Sequence, residues 1–129
     1  MATRPNAEAE ANCPRETFLQ DFNLAFANGN SDFLVAHVSE DVVWRIHGDR
    51  THDGRAAFAA AVHAMREYLN YEFEIRSIVS RGRDAALIGM LTSGGKEYAF
   101  CDVYQFKDSA ANLITSIDSY VIQVRSTTT

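Results

Sequence analysis

A chain of 129 residues with a net charge of -5, 47% hydrophobic and 22% charged residues has the make-up of a globular domain, not of a disordered chain. That length suits one domain with a real core and is short for two. Its 12 Lys and Arg residues are scattered without a basic stripe and no apolar run approaches a membrane span, so nucleic acid and membrane are not expected partners.

Residues 1–12 read as a disordered tail without the hydrophobic stretch of a signal peptide. A single domain is expected over 13–125, with 126–129 fraying. The first helix starts at Pro14, capped by Asn12 or Cys13, and carries Phe18, Phe22 and Phe26 on one stripe. Such a stripe usually packs a core, and one that lines a cavity has the same sequence pattern. Gly29 ends the helix, and Ser31 is placed to cap a short second helix over Asp32–Val38. A strand follows at Val42–His47, with Val42, Trp44 and Ile46 on one face and Val43, Arg45 and His47 on the other. Residues 48–54 read as a polar loop, and Asp53 suits the cap of a third helix over Arg55–Tyr68, with Phe58, Val62 and Met65 on its apolar stripe. Four strands close the chain: Tyr71–Ser80, Ala85–Thr92, Glu97–Phe106 and Leu113–Val124. Short turns join them, Gly94-Gly95 among these, so they should form an antiparallel meander.

The most informative stretch is Phe100-Cys101-Asp102-Val103-Tyr104-Gln105-Phe106. Alternation puts Asp102 on one face with Phe100, Tyr104 and Phe106. A carboxylate among aromatics must find a partner or keep its proton, which raises its pKa and makes it a candidate catalytic acid. The alternatives are a face open to solvent, or an Asp satisfied by a tyrosine hydroxyl.

Other chemistry is sparse. Cys13 and Cys101 form no disulfide framework and no zinc-type spacing, which suits a reducing cytoplasm, and Cys13 lacks a recognisable base for a nucleophile. His47, Asp49, His52 and Asp53 have side chains of metal-ligating type but no ligand spacing, so no metal and no cofactor are expected. His37 and His63 fall outside any cluster. No serine sits in a nucleophile elbow, and no glycine-rich phosphate loop occurs.

Four stretches carry a family resemblance: Phe26-Ala27-Asn28-Gly29-Asn30, Glu40-Asp41-Val42-Val43-Trp44, Gly54-Arg55-Ala56-Ala57-Phe58 and Asp102-Val103-Tyr104-Gln105-Phe106. Over about residues 14–124 the chain resembles the nuclear transport factor 2-like superfamily, in its SnoaL-like and ketosteroid isomerase-like branch. The resemblance implies an α+β, cone-shaped fold: a strongly curved, mostly antiparallel sheet with three N-terminal helices packed on its concave face. It also implies one deep apolar pocket and a homodimer formed through the outer sheet face. Asp102 falls at the position resembling the protonated acid of ketosteroid isomerases. Phe22 stands where their oxyanion tyrosine would be and Ile46 where their base would be. Val38 and Val62 stand at positions that are often tyrosine.

The expected function is a small-molecule enzyme acting by proton transfer, of isomerase, cyclase or dehydratase type. Asp102 would be a neutral hydrogen-bond donor, Tyr104 its assistant and His47 the replacement base. Phe18, Phe22, Trp44, Ile46, Phe58, Val62, Phe100, Ile117 and Ser119 would line the pocket for a small apolar or aromatic ligand. A non-catalytic binding module on the same fold is the second expectation, and a structural dimer with a collapsed cavity the third. The resemblance turns Ile117, Ser119 and Val121 of the last strand toward the pocket and Asp118 to the outer face; a register slip of one residue would bring Asp118 into the pocket instead.

Overall fold

The structure, a computed structural model, describes residues 13–65 and 71–124. The tail at 1–12, the expected end of the third helix at Tyr68 and the C-terminal 126–129 lie outside the described residues.

Nine elements follow in chain order: α1 (Pro14–Asn28), α2 (Ser31–Ala36), β1 (Val38–Ile46), β2 (Arg50–Asp53), α3 (Arg55–Met65), β3 (Tyr71–Arg81), β4 (Asp84–Ser93), β5 (Lys96–Phe106) and β6 (Ile114–Gln123). Pro14 opens α1 with its φ preset and no N–H to leave unpaired. Gly29 closes it at φ 71°; its N–H bonds Phe26 O, and Asn30 N–H bonds Ala25 O at 2.9 Å. Asn30, not Ser31, caps α2: its side chain accepts from Phe33 N–H at 3.2 Å. Asparagine outcompetes the following serine because it already holds the non-helical backbone that a cap needs.

The six strands form one sheet in the order β2-β1-β6-β5-β4-β3. The β3–β6 meander is antiparallel throughout, as expected from its short turns, and β1 joins β6 in parallel. Two readings of the sequence need correction here. β1 begins at Val38, four residues before the expected start. The polar stretch after it holds an edge strand, β2, paired with β1 from Val43↔Asp53 to Ile46↔Arg50.

The core lies on the sheet face that the helices cover. Phe18 and Phe22 of α1 meet Phe106 and Tyr104 of β5, and Phe58 of α3 meets Trp44 of β1, with ring centroids between 5.6 and 6.1 Å apart. Arg15 anchors α1 to the β5–β6 turn. Its guanidinium lies 3.7 Å from the Phe106 ring centroid and donates to the carbonyls of Asp108 and Ala111. A bulge at Arg76 shifts the β3–β4 register between Ile75 and Ser77. Beside it Gly89 takes the place of a side chain: a Cβ there would meet Glu74 O and come within 2.8 Å of the Phe100 ring.

Candidate functional site

A cavity of about 350 Å³ opens between α1, α3 and the sheet. Its walls are mostly apolar: Phe26, Trp44, Ile46, Phe73, Leu91 and Phe100. Its polar groups separate to two ends. Asp102, Ser119 and Asn23 gather at one end, and Ser93 lies at the other. Asp102 pairs with Leu87 across β4, six residues along the strand from Ser93, or roughly 20 Å of extended chain. Among the described residues the lining contains no Lys or Arg.

Asp102 is held by two converging chains of hydrogen bonds. In the first, Asn23 Nδ2 donates to Leu19 O at 2.9 Å and to Tyr104 Oη at 3.1 Å. The Leu19 carbonyl can only accept, so it fixes the orientation of the Asn23 amide. Tyr104 Oη thus accepts a hydrogen bond from Asn23 and turns its own hydroxyl proton toward Asp102 Oδ2, at 3.5 Å. In the second, Trp44 Nε1, a donor only, donates to Ser119 Oγ at 2.9 Å. Ser119 lies opposite Asp102 in the β5–β6 register, which places its hydroxyl to donate to the carboxylate in turn.

Burial in the cavity wall pushes the Asp102 carboxyl up to about 6, against the restraining hydrogen bonds of Ser119 and Tyr104. What surface Asp102 keeps faces the cavity, which explains how a half-buried residue is strongly desolvated. Burial, with Asp102 beside it, holds the Tyr104 phenol well above its ordinary range, so it stays a donor. Burial also raises the Cys101 thiol, which points to the opposite sheet face, where its neighbours in register are Ile88 and Tyr120.

The expected site residues divide into three groups. Trp44, Ile46, Phe100, Ser119 and Asp102 line the cavity. Phe18, Phe22, Phe58, Val62 and Ile117 are buried in the core and are not among its lining residues; Tyr104 stands behind Asp102, 1% exposed. These side chains share the cavity's face of the sheet or helix, but the packing of α1 and α3 closes over them. His47 lies elsewhere. Its Nε2 is 2.8 Å from Asp118 Oδ1, and its ring stacks on Tyr120 at 4.3 Å on the outer sheet face. Strand alternation past Ile46 puts it there, and no bulge turns it inward, so it is no base for this cavity. Asp118 is on the outer face too, paired with Arg45 as well, so the register slip does not occur. His47 and His52 of the polar stretch are held apart, since His52 packs against Trp44 at 5.3 Å while His47 faces the other side.

Phe26, Met65 and Val121, expected on the helix stripes and on the inner face of the last strand, complete the lining together with Asn23, Phe73, Leu91 and Ser93, which were not foreseen. Asn23 carried a signal: it is a lone amide between Phe22 and Phe26 on an otherwise apolar helix face. Phe73 and Leu91 were readable from the β3–β4 hairpin, where they pair directly.

The match to the SnoaL-like domain model covers residues 19–115, and the chain belongs to that family, a branch of the nuclear transport factor 2-like superfamily. Solved structures share the fold at low identity. An NTF2-like protein of unknown function from Burkholderia xenovorans is 15% identical, with a TM-score of 0.74 over 87% of this chain and 85% of its own. A candidate ketosteroid isomerase from Kribbella flavida is 14% identical, with a TM-score of 0.72 over 87% and 80%. An LEH-like epoxide hydrolase from M. tuberculosis is 22% identical, with a TM-score of 0.66 over 81% and 79%. No curated protein sequence matches the chain. Among the described residues, no helix is long and apolar enough to cross a membrane.

Proposed function

We propose that this chain is a small-molecule enzyme of the SnoaL-like kind, in which Asp102 takes a proton from a ligand held in the apolar cavity. The three helices would close the curved sheet into a cone around that ligand, and the reaction would be an isomerisation, cyclisation or dehydration opened by proton transfer. One observation carries the reading: Asp102 opens onto the cavity as the common acceptor of two donor chains, Asn23–Tyr104 and Trp44–Ser119. A carboxyl that receives two hydrogen bonds and titrates near 6 is mostly ionised at neutral pH. These directions favour a proton acceptor over the neutral donor expected from the family comparison. As a base, Asp102 needs no contribution from His47.

A test needs no knowledge of the natural substrate. 5-Nitrobenzisoxazole is a compact aromatic probe whose ring opens on removal of one C–H proton, and its product oxyanion is delocalised into the ring. Turnover should rise with pH to a plateau with a midpoint near 6, and Asp102→Asn should lower it at least ~100-fold. Rates equal to those of the variant would show that Asp102 is not a working base.

The second reading, a binding module without turnover, is favoured by Phe22 and Ile46. Both are apolar where the isomerases carry catalytic groups, which leaves Asp102 without a partner acid. Binding of the probe without its turnover would select that reading.

A further inference from the structure

The side-chain donors around Asp102 are all committed. Both protons of the Asn23 amide are given to Leu19 O and Tyr104 Oη. The Tyr104 hydroxyl proton goes to Asp102, the Trp44 N–H goes to Ser119, and the Ser119 hydroxyl, opposite Asp102 in register, is placed to donate to it as well. What remains open to the cavity at this end is acceptor capacity only. Asp102 presents the lone pairs its two donors do not use. Asn23 lines the same cavity, and its Oδ1, the amide atom turned neither to Leu19 O nor to Tyr104 Oη, has no hydrogen-bond donor among the described residues. The nearest uncommitted hydroxyl in the lining is that of Ser93, at the far end.

We infer that this cavity selects compact apolar molecules whose polar group is a hydrogen-bond donor, an alcohol or an amine, seated between Asp102 and Asn23 Oδ1. A ketone, ester or other acceptor-only group would desolvate its oxygen against two further acceptors and gain no bond. An anion fares worse, because the lining described holds a carboxylate and no Lys or Arg. An ammonium group is in addition better tolerated by a lining rich in aromatic side chains, Phe26, Trp44, Phe73 and Phe100. The cavity's volume of about 350 Å³ lies at the small end for ligand sites, which points to a ligand of roughly ten to fifteen non-hydrogen atoms. For the reaction proposed above, the proton would then leave an O–H or N–H rather than a carbon beside a carbonyl. An enolate oxygen forming at this end would find no donor.

This inference deepens the proposed function but concerns recognition, so its test reads binding alone. The probes share one hydrocarbon cage: 1-adamantanol, 1-adamantanamine, 2-adamantanone and 1-adamantanecarboxylate. Calorimetric titration of the full chain at pH 7.5 should show the alcohol and the amine binding at least tenfold more tightly than the ketone, with the carboxylate weakest. Asp102→Asn, which supplies an N–H₂ group to the cavity, should shrink the alcohol-over-ketone ratio to near one. Equal affinity of the unaltered chain for alcohol and ketone, a tighter carboxylate, or binding of none of the four at millimolar concentration would overturn the inference. The two readings fail separately. Donor selectivity without turnover of 5-nitrobenzisoxazole that titration shows to be bound would sink only the base, and turnover without selectivity only the recognition.

Discussion

At the scale of single residues, Asp102 ties function to stability through its proton. Its carboxyl titrates near 3.8 in an unfolded chain and about 6 in the fold, so between those values the folded state holds the proton more tightly. Stability therefore falls as pH rises through that window and levels off above it, with a difference of roughly 3 kcal/mol. Asp102→Asn removes this dependence. Urea unfolding should find the variant gaining on the unaltered chain from pH 4 to pH 7, and a constant gap would contradict the shifted carboxyl. Tyr104→Phe removes a donor from Asp102 and leaves an Asn23 N–H without its acceptor. It should cost ~1–3 kcal/mol and raise the Asp102 midpoint further, as followed by carboxyl-carbon NMR. Asp102 was visible in the sequence because a period of two put it beside aromatics. Its direction of hydrogen bonding was not visible, because it depends on Asn23, 81 residues from Tyr104, and on Trp44, 75 residues from Ser119. Only the packed fold shows which donors arrive.

At the scale of elements, legibility followed apolar patterning. The meander was readable from its alternation and glycine turns. β2 was not, since Arg50-Thr51-His52-Asp53 is a polar edge strand that among the described residues pairs with β1 alone. The early start of β1 was hidden in the same way by Ser39-Glu40-Asp41. Gly89 shows how an element shapes the site. It sits in β4 opposite Ile75, where the Arg76 bulge bends the edge of the sheet, and lets the Phe100 ring lie close against the strand. Gly89→Ala should destabilise by ~1–3 kcal/mol through overpacking. It should also push Phe100, a cavity wall, off its position. Adding Phe100→Leu should recover part of the loss, since the smaller side chain relieves one of the two contacts while Glu74 O remains. A double-mutant cycle by denaturant melts measures that coupling. Strict additivity would mean that Gly89 acts on the backbone alone.

At the scale of the whole molecule, the two faces of the sheet have divided their work. The inner face carries the core and the cavity. The outer face holds Ile88, Cys101 and Tyr120 side by side in register across β4, β5 and β6, and His47 extends the row by stacking on Tyr120. Ile122 and Val79 add to the same face, and the four large apolar side chains on it are 47 to 67% exposed. A contiguous apolar patch on a sheet is costly to leave in water, and a second copy of the chain is the partner expected to cover it. The Arg45–Asp118–His47 cluster borders this patch and would fix its orientation. Charges placed in the middle of the row should oppose such pairing without touching the cavity, because strand alternation keeps the two faces apart. Ile88→Lys combined with Ile122→Glu should convert a dimer into a monomer in sedimentation velocity, while the affinity for 1-adamantanol stays within about twofold. A monomer before substitution would remove the case for the dimer. A dimer that survives both charges would place its interface on another surface.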